Sequence, residues 1–261
     1  MITSMSNPRV KQVLQWQTKA KERRRDKVFI AEGPKMFEEA PEELIREVYV
    51  SEGFAGACGD KLARVGYEEV SEEVFRKMSD TQTPQGILAV LRQPSYDLQE
   101  ILRNGRDGEQ PLLFVVLENL QDPGNLGTIL RTAEGAGVTA VIMSSNTVDL
   151  FNPKVIRSTM GSVYRVPFLY EENLLHTLEI LQEHGVRTYA AHLQGKTYYD
   201  SFDFREPTAF LIGNEGNGLT EELAQAATAY LKIPMEGKLE SLNASVAAAL
   251  LMYEAHRQRA R

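Results

Sequence analysis

From residue 112 onward the chain alternates short, nearly unbroken apolar runs with longer stretches of mixed character. The runs are LLFVVLE (112–118), TAVIMSS (139–145), RTYAAHL (187–193), TAFLIG (208–213) and AYLKIP (229–234). A strand with one wet face shows a polar residue at every second position, so runs without that interruption predict strands buried on both faces. Helix-length spacers between them predict a parallel sheet covered by helices. The segment 243–259, rich in Ala, Leu and Arg, predicts a long final helix. Before residue 93 the pattern is looser: a helix-like stretch over 7–25, a strand at VFIAEG (28–33), a helix opened by Pro34, and strands at EVYVS (47–51) and GILAVLR (86–92). Between the two regimes lies QPSYDLQEILRNGRDGEQ (93–110), polar and punctuated by Pro94, Gly105 and Gly108. The organisation predicted is a small α/β domain over 1–93, a linker over 94–110, and a parallel-sheet α/β domain over 111–261, with no internal repeat.

Composition adds exclusions. With 261 residues, 43% hydrophobic and 25% charged, the chain has the make-up of a soluble globular protein with a substantial core. No apolar run approaches the roughly 20 residues of a membrane helix. The N-terminal MITSMSNPRVKQ lacks the apolar centre of a secretory signal, and a single cysteine, Cys58, excludes an internal disulfide, so a reducing cytoplasm is the expected compartment. One cysteine and four dispersed histidines offer no metal-ligand spacing, and no metal is expected.

Charge changes the picture once it is divided along the chain. The net charge is −7, but residues 1–30 carry Arg9, Lys11, Lys19, Lys21, Arg23, Arg24, Arg25 and Lys27 against Glu22 and Asp26, a local +6. Screening over about 8 Å makes local charge matter more than the total, so this segment can hold phosphates. A solvated tail is the bland alternative. Trp16, inside the segment, reads as a core residue ahead of a base-stacking one.

Candidate chemistry sits in three loops at strand ends, the place where open α/β sheets bind ligands. The first, ENLQDPGNLGTILRTAEGAGV (118–138), turns at Asp122-Pro123-Gly124 and places Asn125 near the start of a helix carrying Arg131. A spacing of six leaves those two residues roughly 120° apart around a regular helix, so they converge only if its start is distorted. A capping Asn and a surface Arg remain the local alternative. The second, GNEGNGLT (213–220), has the glycines and threonine of a phosphate loop but Leu219 where its lysine belongs, and it lacks the dinucleotide glycine pattern. It offers exposed backbone to a flat ligand, or it is merely a tight turn. The third, IPMEGKLESLNASVAAALLMYEAHRQR (233–259), carries Ser241 and Asn243 at the mouth of the last helix, where either could be a simple cap.

Taken together, N-x-x-x-x-x-R after a D-P-G-N turn, G-N-E-G-x-G-L after a strand, and I-P-M-x-G-x-x-x-S-L-N-x-S-V-A at the end resemble the SpoU/TrmH class of SPOUT RNA methyltransferases, over about residues 110–255. The N-terminal phrases NPRVKQV, FIAEGPKM and TPQGILAV resemble the ribosomal-protein-like substrate-binding domain found in many members. One departure is Ala136, which stands where the family often has a bulkier aromatic. The resemblance implies a C-terminal trefoil knot, a homodimer, and S-adenosyl-L-methionine as methyl donor to a ribose 2′-hydroxyl of RNA, with ribosomal RNA favoured over tRNA. It implies Asn125, Arg131, Glu215, Ser241 and Asn243 as catalytic residues, with Arg131 positioning a phosphate and stabilising the developing alkoxide. Gly213, Ile233 and Leu242 would line the cofactor pocket, with Leu193 a weaker candidate, and Arg9, Arg23, Arg24 and Arg25 would meet RNA phosphates. Two rivals stand beside this reading: an RNA-binding protein that kept the fold and lost catalysis, and a nucleotide-dependent enzyme, which Leu219 disfavours.

Overall fold

The structure, a computed structural model, describes residues 1–54, 59–106 and 110–260; Cys58 and Gly108 lie outside the described residues. In chain order the regular elements are α1 (Pro8–Thr18), α2 (Ala20–Asp26), β1 (Val28–Glu32), α3 (Pro34–Glu39), β2 (Ile45–Ser51), α4 (Gly59–Val65), β3 (Glu68–Val70), α5 (Glu72–Met78) and β4 (Ile87–Arg92). Then follow α6 (Leu98–Arg106), β5 (Leu113–Leu117), α7 (Pro123–Ala136), β6 (Ala140–Ser144), α8 (Pro153–Thr159), β7 (Phe168–Glu171), α9 (Leu174–Glu183) and β8 (Arg187–Ala191). The last are β9 (Thr197–Tyr198), β10 (Thr208–Ile212), α10 (Glu221–Gln225), β11 (Ala229–Lys232) and α11 (Ala244–Arg259). They fall into two compact units, one formed by Met1–Pro94 together with Asp149–Tyr164, the other by Ser95–Val148 and Arg165–Arg261.

The first unit is built on a four-stranded sheet in the order β1-β4-β2-β3, with β4 antiparallel to both neighbours and β2 parallel to β3. The helix-like stretch over 7–25 divides in two because Lys19 is extended (φ −120°, ψ 110°), which separates α1 from α2. Val10, Val13 and Trp16 on α1 bury against Val28 and Ile30 of β1 and Phe75 and Met78 of α5. Trp16 is therefore a core residue; its indole N–H donates to Asp26 at 2.8 Å, and the Arg46 guanidinium lies 5.3 Å from its ring. The Arg25 side chain and that indole N–H hold the Asp26 carboxyl down to about 2. Phe29, whose strand neighbours point to α1, faces the other way and packs on Phe151 (5.1 Å) and Tyr164 (6.3 Å) of the 149–164 segment. Tyr164 donates to the Met36 carbonyl at 3.0 Å and Arg157 to Asp80 at 2.6 Å, so this segment completes the unit's core from far along the chain.

Here one expectation is corrected. Arg23 is only 3% exposed: its Nη1 donates to the carbonyls of Trp16 (2.6 Å) and Gln17 (3.1 Å), while Nε and Nη2 reach one carboxylate oxygen of Asp149 at 3.2 and 2.6 Å. A guanidinium so engaged has no face left for a phosphate. Its neighbour Arg24 is exposed and, among the described residues, makes no hydrogen bond or ion pair.

The second unit carries a seven-stranded, wholly parallel sheet in the order β7-β6-β5-β10-β8-β11-β9. Both faces are covered, which is why its strands lack alternation. On one face Phe114, Val116, Ile142 and Leu211 pack with Leu178 and Leu181 of α9 and Leu223 of α10. Leu98 and Leu102 of α6 join the same core, so part of the stretch read as a linker is helical and buried. On the other face α7 and α11 pack against the sheet and each other. The far end of α11 is pinned by Arg259, which donates to the carbonyls of Pro111, Leu112, Phe204 and Glu206 at 2.7–3.2 Å; burial lowers its pKa to about 10. The chain runs outward from β5 through β6 to β7 and then returns to the other side of β5, so the strand order reverses between β5 and β10. A crevice outside the carboxyl ends of those strands is where such sheets bind ligands.

Candidate active site

The loop leaving β5 is clamped before it turns. Glu118 is buried, its N–H donates to the Ile212 carbonyl at 2.9 Å, and its carboxylate accepts from Thr220 N–H (2.7 Å) and Thr220 Oγ1 (2.8 Å). Asn119 sits in the left-handed region (φ 55°), held by Ser144 Oγ, which accepts from its N–H at 2.8 Å and donates to its Oδ1 at 3.1 Å. Asp122 then caps α7, accepting from Asn125 N–H at 2.7 Å, with Pro123 at the first helical position where its missing donor is harmless.

The second loop closes on itself. Asn214 and Gly218 exchange backbone hydrogen bonds of 3.0 and 2.9 Å, and Asn214 Oδ1 accepts from the N–H groups of Gly216 (2.8 Å) and Asn217 (3.2 Å). A Cβ at Gly213 would fall 2.0 Å from the Gly218 carbonyl carbon and 2.1 Å from Leu219 N, so the loop's own backbone requires the glycine. Gly218 has φ +71°. Leu219, where a phosphate loop would carry lysine, is buried in the core beneath the loop, and Thr220 caps α10.

A chain of oriented polar groups joins the three loops. Glu215 accepts from Gln121 N–H (3.1 Å), Asp122 N–H (3.0 Å) and Asn125 Nδ2 (3.0 Å). Asn125 Oδ1 accepts from Asn243 Nδ2 at 2.9 Å, and Asn243 Oδ1 accepts from Ser245 N–H (2.9 Å), Ser245 Oγ (2.7 Å) and Val246 N–H (3.3 Å) at the start of α11. A carboxylate only accepts, so Glu215 fixes which way the Asn125 amide points, and the α11 N–H groups fix Asn243. Partial burial pushes the Glu215 carboxyl up, but the hydrogen bonds from Asn125, Asp122 and Gln121 outweigh it and hold it below the usual carboxylate range.

Asn125, Glu215 and Asn243 are thus brought together. Arg131 is not: α7 is continuous from Pro123, its start is not distorted, and Arg131 is exposed without a hydrogen-bond or ion-pair partner among the described residues. Ser241 is exposed two residues before Asn243 and joins none of these hydrogen bonds. Leu193, Gly213 and Ile233 follow the ends of β8, β10 and β11, which are neighbours in the sheet, and Leu242 adjoins Asn243. Leu193 is 56% exposed and Ile233 and Leu242 are half-buried, so this edge presents apolar surface and backbone, without a cation in the loop. That set suits an uncharged nucleoside with a sulfonium tail and not a polyphosphate. Among the N-terminal arginines, Arg9 pairs with Glu68 and Arg25 with Glu22 and Asp26. Glu118 escaped the sequence reading; its one signal is an acid closing an otherwise apolar run. Among the described residues no cluster of three or more His, Cys, Asp or Glu is placed to hold a metal ion, and no helix is long and apolar enough to cross a membrane.

Comparison with known proteins agrees with this geometry. The MRM3-like substrate binding domain matches residues 7–89. The 23S rRNA (guanosine(2553)-2′-O)-methyltransferase RlmP of Bacillus subtilis (strain 168) is 35% identical over 254 residues, which is 97% of this chain and 97% of that one. An rRNA methyltransferase from Sinorhizobium meliloti has the same fold with a TM-score of 0.86 at 30% identity, covering 98% of this chain and 96% of its own. AviRb from Streptomyces viridochromogenes, a SpoU methyltransferase in complex with AdoMet, gives a TM-score of 0.86 at 27% identity, covering 97% and 98%. The SpoU rRNA Methylase family matches residues 112–253, more than half of the sequence, and the chain belongs to that family.

Proposed function

We propose that this protein methylates the 2′-hydroxyl of a ribose in RNA, with S-adenosylmethionine as donor and ribosomal RNA favoured over tRNA as acceptor. The observation that carries the reading is the Glu215–Asn125–Asn243 chain, which ties three distant loops into one rigid rim at the sheet's switch point. When bound, S-adenosylmethionine supplies an electrophilic methyl group on a sulfonium. Leu193, Gly213, Ile233 and Leu242 form the edge that would hold it. A ribose hydroxyl is a poor nucleophile at neutral pH, so the protein must supply positive charge and alignment. Arg131, always protonated and without an internal partner, is free to hold the target phosphate and stabilise the developing alkoxide. Asn125, oriented by Glu215, presents a fixed amide beside it, and Ser241 and Asn243 complete the substrate side. Arg9, Arg24 and Arg25 supply phosphate contacts, Arg24 first, since the other two would have to leave their carboxylates.

We place the protein in the cytoplasm as a homodimer. Support for the dimer is the exposed stripe of Val246 (47%), Leu250 (37%) and Tyr253 (49%) on α11, which lines an open groove with Thr128 of α7. The function is tested by methyl transfer from labelled S-adenosylmethionine to ribosomal and transfer RNA from a strain lacking the protein, followed by nucleoside analysis. Label in a 2′-O-methylated nucleoside of ribosomal RNA is the expected result. Label confined to tRNA would move the substrate. Cofactor binding with no transfer to free RNA or to ribosomal particles would leave a binding protein.

A further inference from the structure

We infer that the Arg23–Asp149 ion pair is a positioning device for the catalytic loop and not part of the RNA-binding surface. Asp149 is held from three sides. One carboxylate oxygen takes both Arg23 contacts, the other accepts from Phe151 N–H at 3.2 Å, and its carbonyl accepts from Asn152 N–H at 2.9 Å. The pair is buried, with the side chains 4% and 13% exposed. A buried ion pair adds little net stability over an apolar substitute but tolerates only one geometry, so its use here is to fix a position.

The position it fixes lies immediately behind the active site. Val148, the preceding residue, donates to the Leu120 carbonyl at 2.8 Å, and its own carbonyl accepts from Tyr170 Oη at 2.7 Å. Asn146 accepts from Gln121 Nε2 at 2.8 Å. Residues 144–148 therefore back the 119–122 loop along its length. That loop supplies the two backbone N–H groups, of Gln121 and Asp122, that hold Glu215. From Asp149 one peptide bond and one hydrogen bond reach the loop, and one more hydrogen bond reaches the carboxylate that orients Asn125. The chain passes from the catalytic unit to the RNA-binding unit at this same bond, between Val148 and Asp149. Anchoring Asp149 to Arg23, in the basic segment of the RNA-binding unit, keeps the loop in its working register.

The catalytic consequence rests on the function proposed above; the structural one does not. The test is Asp149→Asn in the full chain, read by hydrogen exchange of individual amides alongside steady-state transfer to ribosomal RNA. Expected is faster exchange at Gln121, Asp122 and Val148 by about fivefold, with a matching fall in kcat and unchanged affinity for RNA and cofactor. Asp149→Glu, which restores the charge, recovers part of the loss. Arg23→Lys, which keeps charge but loses the fork, reproduces the localised pattern if Asp149→Asn does not fold. Exchange unchanged at those three amides, exchange raised evenly across the sheet, or a loss of RNA affinity with kcat intact would each overturn the proposal. If the unsubstituted protein methylates no RNA, the functional reading fails, while the exchange pattern still decides this one.

Discussion

Replacing Asn125 with aspartate changes one NH₂ group for an oxygen and nothing in shape, yet it reverses the sign of the contact on which the active-site rim depends. In the native chain Asn125 Nδ2 donates to Glu215 at 3.0 Å; in Asn125→Asp two carboxylates would face each other across that distance. The donated bond, made to a charged acceptor, is worth about 1.5–3 kcal/mol. Repulsion between two full charges at 3.0 Å is about 1.4 kcal/mol at the dielectric of water and about 5.5 at an effective value of 20, and partial exposure of Glu215 favours the lower end. A loss of about 3 kcal/mol at pH 8 follows, which for a chain of this size lowers the melting midpoint by about 6–12 °C. The pH dependence is the sharper mark. Native Glu215 has a depressed pKa, so its contribution is present above the unfolded value and is lost as pH falls through the folded one. In the variant one carboxyl of the pair is raised instead, so the penalty is complete above that raised value and is relieved as pH falls through it, when a shared proton restores a donor. The two melting curves should therefore converge on acidification. Thermal unfolding of both proteins in matched buffers from pH 5 to pH 8.5 measures this directly. A gap below about 1 °C at pH 8, or one of constant size across the range, would refute the assigned hydrogen-bond direction.

Other perturbations separate roles that share one region. Gly213→Ala forces a methyl group into the Gly218–Leu219 backbone and should destabilise the protein by about 1–3 kcal/mol while removing S-adenosylmethionine binding in calorimetry; native-like melting would contradict the loop closure described. Arg131→Ala should leave the melting midpoint within about 0.5 kcal/mol of native, since the side chain has no internal partner, yet lower kcat/KM on the order of 100-fold. Near-full transfer activity would remove Arg131 from the mechanism. Arg23→Ala leaves Asp149 buried without its partner, a loss of about 3–5 kcal/mol, whereas Arg24→Ala should keep stability and flatten the salt dependence of RNA binding by about one unit of slope. If the two variants behave alike, the division between them drawn from burial is wrong.

How far the sequence could be read depended on where the determining contacts lie. Strands β5, β6, β8, β10 and β11 were legible because burial on both faces writes itself as an unbroken apolar run. The four-residue β7 is half polar, and β9 is only Thr197–Tyr198, so neither leaves a comparable trace. The 93–110 stretch reads as a linker by composition, and only Leu98 and Leu102, four apart, betray the buried face of α6. Nothing local marks residues 149–164 as part of the first unit's core, because the evidence is the empty side of Phe29 more than a hundred residues earlier. In the site, loop identities were legible but connections were not. That Glu215 orients Asn125, or that Glu118 clamps Thr220, is decided by sheet order, which places β10 beside β5. Likewise three consecutive arginines are equivalent on paper, and only the position of Asp149 turns Arg23 inward while Arg24 stays in water.

Leu219 sets a limit on how this loop could be repurposed. Its neighbours imitate a phosphate cradle closely enough that a single change to lysine would complete the pattern on paper. The side chain at 219, however, points down into packed hydrocarbon, so a lysine there would trade core for a buried charge and still present no ammonium to a ligand above. Nucleotide chemistry is therefore not one substitution away, because every intermediate on that route unfolds the platform before it gains the new ligand. The loop's occupant is restricted from beneath, by packing that no ligand touches.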